Sequence, residues 1–150
     1  MAEHLESAEI AGGKAMSLNY DLGGFKLAIN AGVSDEKLGK RRWTRVLASF
    51  MGYPCSSLEA LAALKACLDC FRRGQLARGD PQPLFGTGDE CVRFAIKQKD
   101  KVLYLHMQRV ASGRVVEEAY LAHLDVARLE VAVGKALQAL APVSIWGPEP

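Results

Sequence analysis

A chain of 150 residues with 49% hydrophobic and 24% charged positions has an ordinary globular composition, which excludes disorder. At this length about 68–70% of the unfolded surface can be buried without help from disulfides or metal. Nineteen Lys and Arg against seventeen Asp and Glu leave a net charge of +2, so a polyanion partner is not written in the overall charge and would have to meet a local cluster.

The opening Met1-Ala2-Glu3-His4-Leu5-Glu6 is acidic and leads into no apolar run. It reads as neither a secretory signal nor a basic transit peptide, and a cytoplasmic protein is expected. No stretch of about 18 apolar residues is present, so no membrane helix is expected. Residues 1–16, which include Gly12-Gly13-Lys14, read as a flexible arm with a short helix over 3–10.

From Tyr20 the pattern changes. Phe25, Leu27 and Ile29 alternate with Lys26, Ala28 and Asn30, the period of a half-buried strand. A second extended run covers 41–53, and the segment 32–40 between them, with Gly32 and Gly39 near its ends and charges inside, reads as a hairpin loop. After Pro54 the period becomes helical: Leu58, Leu61, Leu64, Leu68 and Phe71 form one stripe, Ser56 and Glu59 make a capping box, and the helix stops near Arg73-Gly74. Residues 79–88 are rich in Gly and Pro and read as a linker.

Beyond the linker Val92, Phe94 and Ile96 alternate with Arg93, Ala95 and Lys97. Gln98-Lys99-Asp100-Lys101 turns the chain into a strand over 102–110, and Ser112-Gly113 turns it again into 114–121. Asp125 then caps a helix with the stripe Val126, Leu129, Val133, Leu137 and Leu140, which Pro142 stops. Residues 143–150 form a tail.

The fold class expected is α+β: two strand-strand-(strand)-helix halves forming antiparallel sheet packed by two amphipathic helices. Residues 17–142 form one domain, with halves 17–78 and 84–142. Phe25, Leu27 and Ile29 match Val92, Phe94 and Ile96 at a spacing of about 67 residues, which presents the halves as a pseudo-repeat.

The exposed strand faces carry the functional signal. Arg41, Trp43, Arg45, Leu47 and Ser49 share one parity, with Lys37, Lys40 and Arg42 close by. In the second half Arg93 and Lys97 oppose the apolar set, Tyr104 and His106 oppose Leu103, Leu105 and Met107, and Lys99 and Lys101 lie in the turn. Cations that neutralise phosphates beside rings that stack on bases suit a single-stranded nucleic acid. Alternatively, these cations only keep half-exposed strands in solution and Trp43 lies in the core.

The run Asp89-Glu90-Cys91-Val92-Arg93-Phe94-Ala95-Ile96-Lys97, then Lys101-Val102-Leu103-Tyr104-Leu105, the Ser112-Gly113 turn and Leu121-Ala122-His123-Leu124-Asp125 before a terminal helix resembles the positive-cofactor-four fold of single-stranded-DNA-binding proteins. The doubled layout over residues 18–140 resembles the Whirly group. The resemblance implies a curved basic sheet backed by one helix, often dimeric. It places the family's basic strand positions on Arg93, Lys97, Lys99 and Lys101, with Tyr104 as a stacking ring.

Other chemistry finds less in the sequence. Cys67-Leu68-Asp69-Cys70, with Cys55 and Cys91, supplies the four thiols of a zinc site, but the pair lies in mid-helix and the spacing is unhelpful, so the thiols read as reduced and unliganded. A redox pair would sit at a helix N-terminus. His4, His106 and His123 have no triad or metal spacing, and Gly86-Thr87-Gly88 precedes a strand, not the helix terminus that cradles phosphate. A non-enzymatic protein without cofactor or metal is therefore expected. Its partner is single-stranded DNA or RNA, met without sequence preference by Lys40, Arg41, Arg42, Trp43, Arg45, Arg93, Lys97, Lys99, Lys101 and Tyr104, in a homo-oligomer, a dimer, with no membrane contact. The alternative function is a protein–protein module acting through helix faces, strand edges or the Trp146 tail.

Overall fold

Period-two alternation builds two antiparallel sheets, each closed by a helix. A computed structural model describes the backbone of residues 2–10, 13–22, 24–36 and 39–140, and within them the side chains of 18–21, 24–32 and 44–140. The first sheet runs in chain order through β1 (Ala2–Ile10), β2 (Gly13–Leu22), β3 (Phe25–Glu36), β4 (Gly39–Phe50) and the two-residue β5 (Tyr53–Pro54), followed by α1 (Leu58–Arg72). The second runs through β6 (Gln82–Thr87), β7 (Glu90–Lys99), β8 (Val102–Ala111) and β9 (Arg114–Leu121), followed by α2 (His123–Leu140). This is the expected α+β class with two similar strand-rich halves, but each half has its own sheet and more strands than the sequence announces.

Alternate residues turn into one core. Phe25, Leu27 and Ile29 of β3 are buried opposite Phe50, Ala48 and Val46 of β4. Val92 of β7, Leu105 and Met107 of β8 and Leu121 of β9 join the same apolar cluster. The helices lie between the sheets and pack on each other, and α2 touches β2, β3 and β4 of the first sheet as well as β8 and β9 of its own. Each fully buried Leu or Phe in that layer contributes about 1.5–3 kcal/mol of transfer free energy.

Across the helix interface lies one buried charge. Glu130 of α2, its side chain only 9% exposed, takes Arg72 Nε of α1 at 2.7 Å and Lys65 Nζ at 3.5 Å, while Lys65 also reaches Asp69 at 3.1 Å. Lys65 and Arg72 keep partial access to water, so losing the carboxylate strands neither cation fully. Glu130→Ala is expected to cost about 1–2 kcal/mol in a urea titration; an unchanged midpoint would show the pairs to be neutral.

A second seam joins the sheets. The Tyr53 ring of β5 stacks on Phe85 of β6 at 6.0 Å and 12°, and the Arg109 guanidinium lies 5.0 Å over Tyr53. Arg109 Nη2 donates to Glu90 Oε2 at 3.2 Å, and Glu90 Oε1 accepts from the Ser112 amide at 2.8 Å. The Ser112 amide first, and Arg109 next, hold the Glu90 carboxyl below its usual range.

Several expectations are corrected. Residues 3–10 are not a helix or a free arm: β1 pairs with β2 from Ala2↔Asp21 to Ile10↔Gly13, a ladder whose pattern is too polar to announce itself. The loop expected over 32–40 is strand as far as Glu36 and again from Gly39; Lys37 lies outside the described residues. The linker over 79–88 contains β6. Pro83 is tolerated there because β6 is an edge strand, whose outward amides need no partner, and a bulge between Pro83 and Phe85 absorbs the irregularity.

At α1 the cap is Ser57, not Ser56. Ser57 Oγ accepts from the Ala60 amide at 3.1 Å, whereas Ser56 Oγ accepts from the Ala48 amide at 2.8 Å and ties the helix start to β4. Leu58 accordingly leaves the buried stripe, which is Leu61, Leu64, Cys67, Leu68 and Phe71. α2 begins at His123, so Asp125 lies in its first turn and does not cap it, while Leu137 and Leu140 pack only at the edge of the core. Pro142 and the tail over 143–150 lie outside the described residues. The match at about 67 residues pairs β3, third in its half, with β7, second in its own.

Candidate nucleic-acid interface

The outer face of the second sheet is assembled by two hairpins. Asp100 and Lys101, with φ of 51° and 67°, make a two-residue turn that sets Lys99 opposite Val102 and Lys97 opposite Tyr104. Ser112 and Gly113, with φ of 51° and 75°, turn β8 into β9, and a bulge at Arg109/Val110 then brings Tyr120 opposite His106 and Glu118 opposite Gln108. Three rows cross the face: Lys97 with Tyr104, then Ala95 with His106 and Tyr120, then Arg93 with Gln108 and Glu118.

The middle row is aromatic. His106 and Tyr120 stack at 4.4 Å with their planes 9° apart, and Tyr104 meets Tyr120 edge-on at 6.3 Å. His106 is 6% exposed under this cover, whereas Tyr120 is 49% exposed and offers its outer ring surface to solvent. The third row is polar: Arg93 Nε donates to Gln108 Oε1 at 2.7 Å, Gln108 Nε2 donates to Glu118 Oε1 at 3.0 Å, and His106 Nε2 lies 3.0 Å from the same oxygen. The Gln108 bond first, and His106 next, hold the Glu118 carboxyl below its usual range, so its pairing is complete above the ordinary carboxylate titration and is lost as pH falls through the lowered value.

Of the ten sequence-derived contact residues, five fall on this sheet. Arg93, Lys97 and Tyr104 come together on one face, and Lys99 and Lys101 follow at the exposed β7–β8 end. Lys99 is a strand residue, not part of the turn expected over 98–101. The other five are on β4 of the first sheet. There Arg45 is exposed, at the same parity as the exposed Leu47, while the side chains of Lys40, Arg41, Arg42 and Trp43 lie outside the described residues. Tyr120, Gln108 and Glu118 complete the face, although only His106 and Tyr104 of its second and third strands stand out in the sequence.

The remaining chemistry is dispersed. Burial pushes the thiols of Cys55 and Cys67 up to about 12, with Cys70 adding to the effect at Cys67. Among the described residues no three His, Cys, Asp or Glu side chains gather as a metal site would need. His123 lies against the Phe71 ring at 4.6 Å. Among the described residues no helix is long and apolar enough to cross a membrane. No family model and no curated protein sequence matches the chain.

Proposed function

We propose that this protein is a cytoplasmic, non-enzymatic binder of single-stranded DNA or RNA that uses the outer face of β7, β8 and β9. The observation that carries this reading is the register that sets Lys97 beside Tyr104, and Tyr104 beside the exposed Tyr120, with Lys99 and Lys101 at the same end. A single strand presents phosphates and unpaired ring faces together, and this surface answers both: cations displace counterions from the backbone while rings stack on bases. A duplex hides its ring faces and would meet only the cations. The resemblance of residues 89–140 to the positive-cofactor-four family supports the same reading, and in that reading the protein works as a homodimer.

Fluorescence anisotropy with a labelled single strand and its duplex tests the proposal. The single strand is expected to bind in preference, with the logarithm of affinity falling against the logarithm of salt at a slope of about −2 to −3 if four cations meet phosphates. Absence of binding at low salt would overturn it. A protein-interaction role would then be the better reading, because Leu124 and Val131 on α2 stand 61% and 58% exposed.

A further inference from the structure

We infer that Gln108 and Glu118 are positioning residues, which hold the Arg93 guanidinium as a fixed fork for one phosphodiester group of the bound strand. The inference rests on the proposed single-strand function and deepens it by setting one oriented phosphate contact apart from the point charges of the lysines.

Its starting point is a charge of the wrong sign. Glu118 stands 45% exposed on a face whose other charges are Arg93, Lys97, Lys99 and Lys101, and a carboxylate there repels phosphate. Its bonds point inward along the face instead. One oxygen, Oε1, meets both Gln108 Nε2 and His106 Nε2, each at 3.0 Å, and His106 is buried beneath the Tyr120 ring. A glutamine amide has one donor end and one acceptor end, so committing the nitrogen of Gln108 to Glu118 turns its oxygen toward β7. There Gln108 Oε1 accepts from Arg93 Nε at 2.7 Å. The register lays the row straight, with Arg93 opposite Gln108 and Gln108 opposite Glu118. Each link fixes the next, from a buried ring out to a half-buried cation.

The guanidinium is planar, so a bond at Nε sets where its far end points. Among the described residues no other hydrogen bond or ion pair takes Arg93, and Nη1 and Nη2 remain as two side-by-side donors. That pair matches the two unesterified oxygens of a phosphodiester, and a fork already held loses less freedom on binding. Lys97, Lys99 and Lys101 meet a phosphate as point charges on flexible stems, from any side. Glu118 is thus tolerated on the face because it keeps the Gln108 amide the right way round; without it the amide can turn its nitrogen to the guanidinium, donor against donor.

Fluorescence anisotropy with a labelled oligothymidine of about 16 nucleotides reads this relay through Glu118. If charge alone mattered, Glu118→Gln and Glu118→Ala would tighten binding equally, since both remove a repulsion. The relay gives them opposite signs. Glu118→Gln keeps an oxygen in the place of Oε1 and is expected to bind about twofold tighter. Glu118→Ala frees Gln108 and is expected to bind about threefold weaker than the unaltered protein, the lost fork outweighing the lost repulsion. Gln108→Met keeps the length of the side chain without its oxygen, and Arg93→Lys keeps the charge without the fork. Each is expected to weaken binding about five- to tenfold, and the double variant no more than either alone. Tightening in both Glu118 variants, or losses that multiply in the double variant, would overturn the inference and leave single-strand binding intact. Failure of the unaltered protein to bind would overturn the proposed function and the inference with it. Should Glu118→Ala or Gln108→Met fail to fold by circular dichroism, the other arm decides alone.

Discussion

Gly86→Ala is expected to lower stability by about 3 kcal/mol, a drop on the order of 10 °C in melting temperature, although the substitution adds a single methyl group. Two costs combine. Gly86 has φ of 71°, where a Cβ meets its own backbone at a cost of about 1–2 kcal/mol. A Cβ there would also stand 2.4 Å from the Glu90 carbonyl oxygen, 2.7 Å from the Tyr53 hydroxyl and 3.1 Å from the Cys91 Cα, and two of these three are backbone atoms that cannot swing away. The bare Gly86 backbone is what lets Tyr53 of the first sheet close on β6 and stack on Phe85. Gly88→Ala is the natural comparison: φ is 59°, but nothing lies within 4 Å of the added atom, so only the backbone term applies, about 1 kcal/mol. Thermal melts of the two variants separate crowding from strain. Equal melting temperatures would mean that the seam relaxes around the new methyl.

The same glycine shows where sequence reading reaches its limit. Gly79, Pro81, Pro83, Gly86 and Gly88 read as a linker because each residue type breaks regular structure, yet Gln82–Thr87 is an edge strand that accommodates them. An edge strand leaves half its amides free, so Pro83 forfeits nothing, and Gly86 is required by the approach of Tyr53, a residue about thirty positions earlier that no local pattern can reveal. β1 escaped for a different reason. Its residues, from Ala2 to Ile10, have the acidic, weakly alternating character of an exposed segment, and pairing with β2 is a tertiary outcome that propensity does not encode. By contrast, β3, β7 and β8 were legible because one face of each is buried and the alternation is strong: Phe25, Leu27 and Ile29, then Val92, then Leu105 and Met107 all lie in the core.

The candidate face was half legible, and a single residue accounts for the missing half. Ser112-Gly113 is readable as a two-residue turn, and such a turn pairs Ala111 with Arg114 and Val110 with Val115, as found. Extended without a break, that register would set His106 opposite Ala119 and Gln108 opposite Glu117. The bulge at Arg109/Val110 advances β9 by one residue, so every β9 side chain beyond it changes face, and Tyr120 and Glu118 arrive beside His106 and Gln108. Nothing in the residues around Arg109 marks that slip. The extra residue is Val116 of β9; at the same level Arg109 of β8 reaches Glu90 of β7 in its own sheet and the Tyr53 ring of the first sheet.

Tyr120 is therefore the residue on which the proposed function is most exposed to test, and Tyr104 its partner. Replacing either ring with Ala is expected to weaken single-strand binding by about 1–3 kcal/mol, and replacing both by at least about 30-fold in affinity, since each removes a platform rather than a charge. The salt slope should be retained, because the phosphate contacts of Arg93, Lys97, Lys99 and Lys101 remain. Tyr120→Phe keeps the ring, its stacking on His106 and the edge contact with Tyr104, so its affinity should stay within about twofold of the unaltered protein, assigning the effect to the π surface and not to the hydroxyl. Lys97→Ala should do the converse, lowering the salt slope by less than one unit with a smaller change in affinity at high salt. Trp43→Ala on β4 supplies the comparison between sheets: a loss as large as that of Tyr120→Ala would mean that both sheets hold the strand, and no loss would confine the site to β7, β8 and β9. Tyrosine variants that bind as the unaltered protein does would reduce this face to a cationic surface. A duplex should then bind as well as a single strand.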